Sequence, residues 1–357
     1  MEEKIQLAVL FGGVSSEHEV SLMSAASILN HLDPEKYLIS RVGITRDGRW
    51  LLFEGENSRM TGGQWEAPEY TVPAILSPDR ADHGLLIFRG EQIERRHIDV
   101  VLPVLHGKNG EDGTVQGFCE IAGIPYVGCG VLASAACMDK EFTHSMLTLH
   151  GIPNARFIAV RQWEKETVQQ LEGRMEQAGI AYPVFVKPAN AGSSVGVSKA
   201  HDRQELLKAL ETAFKEDKKV LVEETLVGTE AECAVMGNLS PAAAADVGEI
   251  EPLRELYDYE GKYCDDTTAL HIPARISPEA AQQMRSLAVR AYSLLGCRGL
   301  ARVDFFVLKQ GERVVLNELN TFPGFTHISM FPKLFCHGGM RYGELIDRLI
   351  AYAREER

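Results

Sequence analysis

Apolar positions along the chain fall into two rhythms. Short runs of aliphatic and β-branched residues recur at 5–11, 37–44, 99–105, 157–160, 182–186 and 220–226. Bounded by glycine, proline and polar clusters, they read as buried strands. Longer stretches with a one-sided apolar pattern predict helices: from a cap at Ser21 to about 32, over most of 131–150 with Asp139 and Lys140 inside, from about 163 to 178, over 277–295, and from about 342 to 354. Ser277-Pro278-Glu279 starts the fourth of these and Gly296 ends it. Residues 46–93 mix glycine, proline and short apolar runs, and no element is assigned there. The opening strand, the Gly12-Gly13 turn and the first helix begin an open α/β sheet, where ligands sit beyond the carboxyl ends of strands.

The runs 301–308 and 314–320, with Gly311 between them, read as a β-hairpin with a loop of about five residues. If Leu308 faces Val314, Asp304 lies opposite Glu318 and Arg302 opposite Asn320, all on one face. Two opposed carboxylates repel each other unless something positive lies between them. Carboxylates and an amide oxygen are hard ligands that suit Mg²⁺. A solvated strand face, with Arg302 neutralising one acid, explains the same residues. A slip of one residue would send half the cluster to the other face.

Other polar positions cluster at strand ends. Lys187 ends a strand and precedes Ala189-Asn190-Ala191-Gly192-Ser193-Ser194-Val195-Gly196, a small-residue loop able to cover phosphates with backbone N–H groups and hydroxyls. A plain hairpin with flexible glycine and serine is the alternative. His106 opens the glycine-dense loop 106–114, where a backbone can approach a ligand or simply turn. Glu17 sits beyond the first strand, where it also suits a helix N-terminus. Glu223 and Glu224 lie on a strand followed by Glu230; such acids can accept from an adenine amino group or ribose hydroxyls. The aromatic and charged stretch 256–263 suits a lid. The Pro323-Gly324 turn exposes N–H groups suited to an oxyanion or carboxylate.

A chain of 357 residues exceeds one core, so two or three domains are expected. The net charge of -13 argues against nucleic acid as a partner, though not against a nucleotide held by local cations. Seven scattered cysteines with no CxxC pair exclude a disulfide framework or zinc site and fit a reduced, cytoplasmic setting. The N-terminus enters an apolar strand with no charged-then-apolar leader. The uncharged run 121–138 reaches the roughly 17-residue minimum of a membrane span, but Gly123, Pro125, Gly128 and Gly130 break it. GxGxxG and GxxxxGK[ST] are both absent.

Taken together, these pieces resemble the D-alanine–D-alanine ligase family of the ATP-grasp superfamily. The matching runs are Phe11 to Ser21 (FGGVSSEHEVS), His106 to Gly113 (HGKNGEDG), Met138-Asp139-Lys140, Lys187-Pro188 through Gly196, Tyr257 to Tyr263 (YDYEGKY), Arg302-Val303-Asp304 and Glu318 to Thr326 (ELNTFPGFT). They keep the family's order over nearly the whole chain. The resemblance implies an α/β (α+β), three-domain ATP-grasp fold: an N-terminal open α/β substrate-binding domain at 1–128, a central domain at 129–229 and a C-terminal catalytic domain at 230–357. It implies ATP as the nucleotide and Mg²⁺ or Mn²⁺ as the metal.

By position, the resemblance gives Lys140 and Lys187 to the ATP phosphates and Glu223, Leu226 and Glu230 to the adenosine. Asp304, Glu318 and Asn320 become metal ligands. Glu17 takes the ammonium of a first D-alanine, supported by Ser193 and Tyr263, with His106 nearby. Lys262 belongs to a lid over the γ-phosphate. Arg302 and the Gly324 N–H face oxyanion charge, and Ser329 with Met330 borders the second amino acid's carboxylate. The implied reaction joins two D-alanines through an acyl phosphate, for peptidoglycan precursors, in a cytoplasmic homodimer.

Thr326-His327-Ile328-Ser329 departs from the Thr-Ser-His-Ser of many members. Lys262-Tyr263 is intact, whereas the D-lactate branch replaces it, and Met330 stands where D-serine-using relatives tend to carry a cation. D-alanine is therefore expected at both positions, with D-serine and D-lactate as the alternatives. Another ATP-grasp carboxylate–amine ligase, biotin-carboxylase-like or of the purine pathway, would lack the Glu17 loop and the 257–263 loop. A non-enzymatic nucleotide-binding regulator would not need Arg302, Asp304, Glu318, Asn320 and both lysines together.

Overall fold

The computed structural model describes residues 3–251 and 269–355. The 257–263 loop, with Lys262 and Tyr263, lies outside the described residues.

The first sheet is built by β1 (Ile5–Gly12), β2 (Tyr37–Ile44), β3 (Trp50–Phe53), β4 (Thr71–Leu76), β5 (Gly84–Arg89), β6 (Gln92–His97) and β7 (Val100–Pro103). Its strand order is β6-β5-β4-β3-β2-β1-β7. β1 pairs in parallel with β2 and β7, and the remaining pairs are antiparallel. The stretch 46–93, unassigned from sequence, supplies the antiparallel half. β6 is polar and lacks a buried face, and β4 carries Pro73, so neither has the alternation that marks a strand. Helix α1 (His18–Leu29), with Glu17 at its cap position, begins four residues earlier than a cap at Ser21 would start it. Ser21 is not its cap. It is fully buried in the first turn, where Oγ accepts from Gly12 N–H at 2.8 Å and donates to the Val104 carbonyl.

Helices α2 (Thr114–Ala122), α3 (Val131–Met138) and α4 (Lys140–Leu149) follow. The single helix expected over 131–150 is broken at Asp139, whose extended backbone lets its carboxylate accept from Phe142 N–H at 3.1 Å and cap α4. The second sheet, of order β10-β9-β11-β8, is antiparallel: β8 (Phe157–Arg161), β9 (Val184–Pro188), β10 (Ser198–Ala200) and β11 (Lys219–Glu224). α5 (Val168–Gln177) and α6 (Arg203–Glu216) cover it. α5 starts at a Thr167–Gln170 capping box rather than near 163.

The third sheet runs β15-β14-β12-β16-β17, with β13 also on β12. Its strands are β12 (Gly228–Met236), β13 (Ala242–Ala243), β14 (Gly248–Glu251), β15 (Ala269–His271), β16 (Leu300–Leu308) and β17 (Val314–Asn320). α7 (Pro278–Leu294), capped by Ser277, packs on it, and α8 (Met330–His337) and α9 (Tyr342–Glu355) close the chain.

Three buried clusters show how these parts adhere. Leu7, Val9 and Phe11 of the first sheet share one core with Phe325, Phe331, Leu345 and Leu349 from the end of the chain. Cys129, Ala133, Cys137 and Leu147, near α3 and α4, join the core of the third sheet. The second sheet keeps a core of its own with α5 and α6. Among the described residues no helix is long and apolar enough to cross a membrane.

Candidate active site

The acidic hairpin forms, with Asp304 opposite Glu318 and Arg302 opposite Asn320. The register is reached differently from the expectation. Val314 faces Val307 rather than Leu308, and an irregularity between Asp304 and Phe305 restores the offset. Asn317 falls in this bulge and turns to the cleft with the acids. β12 adds a third carboxylate, because Glu232 pairs with Asp304 across the strands. Glu232, Asp304 and Glu318 therefore form one row over three neighbouring strands, with Arg302 a register step away. Arg302 grips Asp304 through two bonds of 2.7 Å, and its Nε lies 3.1 Å from Glu232. Asn320 Nδ2 donates to Asp304 at 3.0 Å. Among the described residues no three His, Cys, Asp or Glu side chains are poised to hold a metal ion. Asp304, Glu318 and Asn320 offer two carboxylates and an amide.

The second sheet supplies the cationic wall. Lys187, on β9, pairs with Glu223 of β11 at 2.5 Å, and the carboxylate is only 2% exposed. Burial pushes the Glu223 carboxyl up, but Lys187 and His144 outweigh it and hold it well below the usual carboxylate range. Burial likewise works against the Lys187 ammonium, yet Glu223, Glu318 and Glu230 leave its pKa raised. Lys140, at the start of α4, donates to the Ala191 carbonyl at 2.7 Å and so reaches the small-residue loop. Leu226 and Glu230 line the cleft just beyond β11 and at the start of β12.

Loops build the third wall. Glu17 occupies the cap position of α1 but makes no cap bond; Ser193, 176 residues away, donates to its Oε1. Two glycines box in the other oxygen. A Cβ on Gly107 would sit 2.3 Å from Glu17 Oε2, and one on Gly192 2.6 Å. The glycine-dense loop thus admits a carboxylate of this chain. His106 is buried, with Nδ1 3.0 Å from the Phe322 carbonyl and Nε2 3.0 Å from Ser24 Oγ. The carbonyl requires a proton on Nδ1, and burial lowers the ring's pKa, so the imidazole is neutral. Glu111 accepts from Gly107 N–H at 2.8 Å and Phe322 N–H at 3.2 Å. Burial and the nearby Glu17 push its carboxyl up to about 8. Ser24 also accepts from Phe325 N–H, and Tyr342 donates to the Phe325 carbonyl, so the segment carrying Gly324 is tied down on both sides. Ser329 precedes α8 without capping it, its Oγ engaged by the Thr326 backbone and hydroxyl at 3.0 and 2.9 Å.

These walls enclose one cleft of about 1030 Å³. It is lined by Glu17, His106, Lys140, Lys187, Ser193, Glu223, Leu226, Glu230, Arg302, Asp304, Glu318, Asn320, Gly324 and Ser329. Met330 lines it too, so every described residue given a site role from sequence borders this cleft; Lys262 and Tyr263 are outside the described residues. Sequence reasoning passed over Glu111, Glu232 and Asn317, which line the same space. Glu232 was detectable: Glu230 and Glu232 stand two apart in an apolar run, the spacing of one strand face. Asn317 required the bulge.

Comparison with known proteins agrees over the full length. Residues 6–129 match the model described as D-ala D-ala ligase N-terminus, and 146–351 the D-ala D-ala ligase C-terminus. A D-alanine–D-alanine ligase of Caldicellulosiruptor bescii is 48% identical over 353 residues, 99% of this chain and 96% of that one. One from Acetivibrio thermocellus is 47% identical, with the same shares covered. Among solved structures, the VanG D-Ala:D-Ser ligase of Enterococcus faecalis superposes with a TM-score of 0.88 at 39% identity, over 98% of this chain and all of that one. The D-alanine–D-alanine ligase of Coxiella burnetii gives 0.85 at 34%, over 99% of this chain and 94% of that one. With both family models matched and three-domain ATP-grasp enzymes as its structural neighbours, this chain belongs to the ATP-dependent D-alanine–D-alanine ligase family.

Proposed function

We propose that the chain joins two D-alanines into D-alanyl-D-alanine, the kind of dipeptide that peptidoglycan precursors take up, and converts ATP to ADP and phosphate. A carboxylate is a poor electrophile. Transfer of the γ-phosphoryl group to the first D-alanine gives an acyl phosphate. The amine of the second then attacks its carbonyl through a tetrahedral intermediate, and phosphate leaves. The observation that carries this reading is the convergence, in one cleft, of a buried carboxylate held by Ser193, two lysines, and the Arg302, Asp304, Glu318 and Asn320 face.

In this reading Glu17 receives the ammonium of the first D-alanine, steadied by Ser193 and Tyr263, with His106 beside it. Lys140 and Lys187 meet the phosphates; Glu223, Leu226 and Glu230 meet the adenosine; Lys262 closes over the γ-phosphate. Arg302 and the Gly324 N–H face the charge that develops on the reacting carboxyl oxygen. Ser329 and Met330 border the carboxylate of the second D-alanine. Asp304, Glu318 and Asn320 fit Mg²⁺ or Mn²⁺, since they place hard oxygens on one strand face and the two carboxylates are directly opposed. Such an ion supplies charge neutralisation at the transferring phosphoryl group. The three domains are placed at 1–128, 129–229 and 230–357, and the enzyme works as a cytoplasmic homodimer, a state that light scattering checks.

Phosphate release is the test. D-alanine alone with ATP and Mg²⁺ supports turnover. No turnover with D-alanine overturns the reading, and a clear preference for added D-serine or D-lactate at neutral pH overturns D-alanine as the second substrate.

A further inference from the structure

A line of side chains, exposed at Thr148 and buried at His144 and Glu223, runs behind the cleft from the end of α4 to β9. Asn154 Nδ2 donates to the Ile152 carbonyl at 3.0 Å and to Thr148 Oγ1 at 3.0 Å. A carbonyl only accepts, so the amide nitrogen must lie on that side. Oδ1 therefore faces His144 Nδ1, at 3.2 Å, and Nδ1 carries a proton. The other ring nitrogen, Nε2, lies 3.4 Å from Glu223 Oε1. His144 is 1% exposed, and Oε1 has no full hydrogen bond among the described residues. The second carboxylate oxygen, Oε2, belongs to Lys187 at 2.5 Å. A bare Nε2 would aim a lone pair at a buried carboxylate oxygen, leaving two acceptors in conflict. The Lys187 ammonium, 2.5 Å from Oε2, pairs with an ionised Glu223, so the proton that separates the two facing acceptors belongs on the ring.

We infer that His144 is a positioning residue for the nucleotide: protonated on both nitrogens, it holds Glu223 from the side opposite Lys187 and so leaves the lysine able to turn to an anionic ligand. This rests on the reading that the cleft takes ATP. Without the imidazolium, Oε1 loses the donor that faces it at 3.4 Å. The carboxylate then turns both oxygens on Lys187 and competes with phosphate for it. His144 itself reaches neither the nucleotide nor the reacting atoms; it acts through Glu223.

Two measurements test the inference. Nitrogen NMR of the full chain, labelled at histidine, reads the ring directly: both His144 nitrogens are protonated at neutral pH, and a neutral ring overturns the inference. Calorimetric titration with ATP, together with steady-state kinetics, compares His144→Leu with His144→Lys. The leucine variant weakens ATP binding about tenfold or more, and raises KM for ATP with a smaller change in kcat. The lysine variant, which keeps a cationic donor, recovers most of the loss. Normal ATP binding by both variants overturns the inference alone. Failure of the unmodified chain to bind ATP overturns the nucleotide reading and the inference with it.

Discussion

The acidic hairpin and the Glu17 corner face each other across one cleft, yet they are built by opposite means. The hairpin holds its groups on adjacent strands, where pleat and register place Arg302, Asp304, Glu318 and Asn320 on one face. The Glu17 corner has no such frame. Its carboxylate comes from the start of α1, its hydroxyl from the 189–197 loop, and its space from two glycines in separate loops. The first wall resists displacement because moving one group means moving a strand. The second depends on how the first and second sheets sit together, and a single added methyl group disturbs it.

Substitutions can break this contrast. Glu318→Ala has the largest effect: Mg²⁺-dependent phosphate release is lost while the melting temperature is nearly kept, and unchanged turnover would remove the metal assignment. Gly192→Ala probes the loop-built wall. Its Cβ would meet Glu17 Oε2 at 2.6 Å. A displaced carboxylate costs roughly 10²-fold in kcat/KM for D-alanine in a chain that still folds. An equal loss from an alanine placed at Gly173, where an added Cβ meets nothing within 4 Å, would deny that the close approach matters. Ser193→Ala removes one charge-assisted bond, and KM for D-alanine rises about fivefold or more with kcat less affected; a fall in kcat alone would argue against binding through Glu17.

The smallest effect is on stability. Glu111 has a folded pKa of about 8, above its ordinary 4.5, through burial and the charge of Glu17. Its contribution to stability is complete below the unfolded value and drains away as the pH rises through about 8. Glu111→Gln therefore melts close to the unmodified chain near pH 5 and above it near pH 8, by scanning calorimetry at both. A difference that does not change with pH would contradict this protonation behaviour.

The hairpin was legible because strand alternation is local, and even there the route differed. The expected closing pair, Leu308 with Val314, is off by one, and the bulge at Asn317 brings the acids back into line. The long helix over 131–150 missed its break because Asp139 caps α4 only once the backbone there is extended. Ser21 has the residue type of a cap, yet it serves a buried bridge between two strand ends. Glu223 illustrates the same limit. Its place beside the cleft followed from the strand end, but its pairing with Lys187 and His144 joins β9, β11 and α4.

By itself the sequence determined the kinds of element, the row of acids on the last hairpin and the family motifs in their order, because these depend on residue type and spacing over a few neighbours. Tertiary structure alone decided that Glu17 meets Ser193 across 176 residues, that Gly107 and Gly192 make room for that carboxylate, and that Phe322 and Phe325 are pinned by His106, Ser24 and Tyr342. Loops carry no periodic signal of where they end. Their meeting is set by the burial of whole sheet faces, among them the shared core of the first sheet and the chain's last helices.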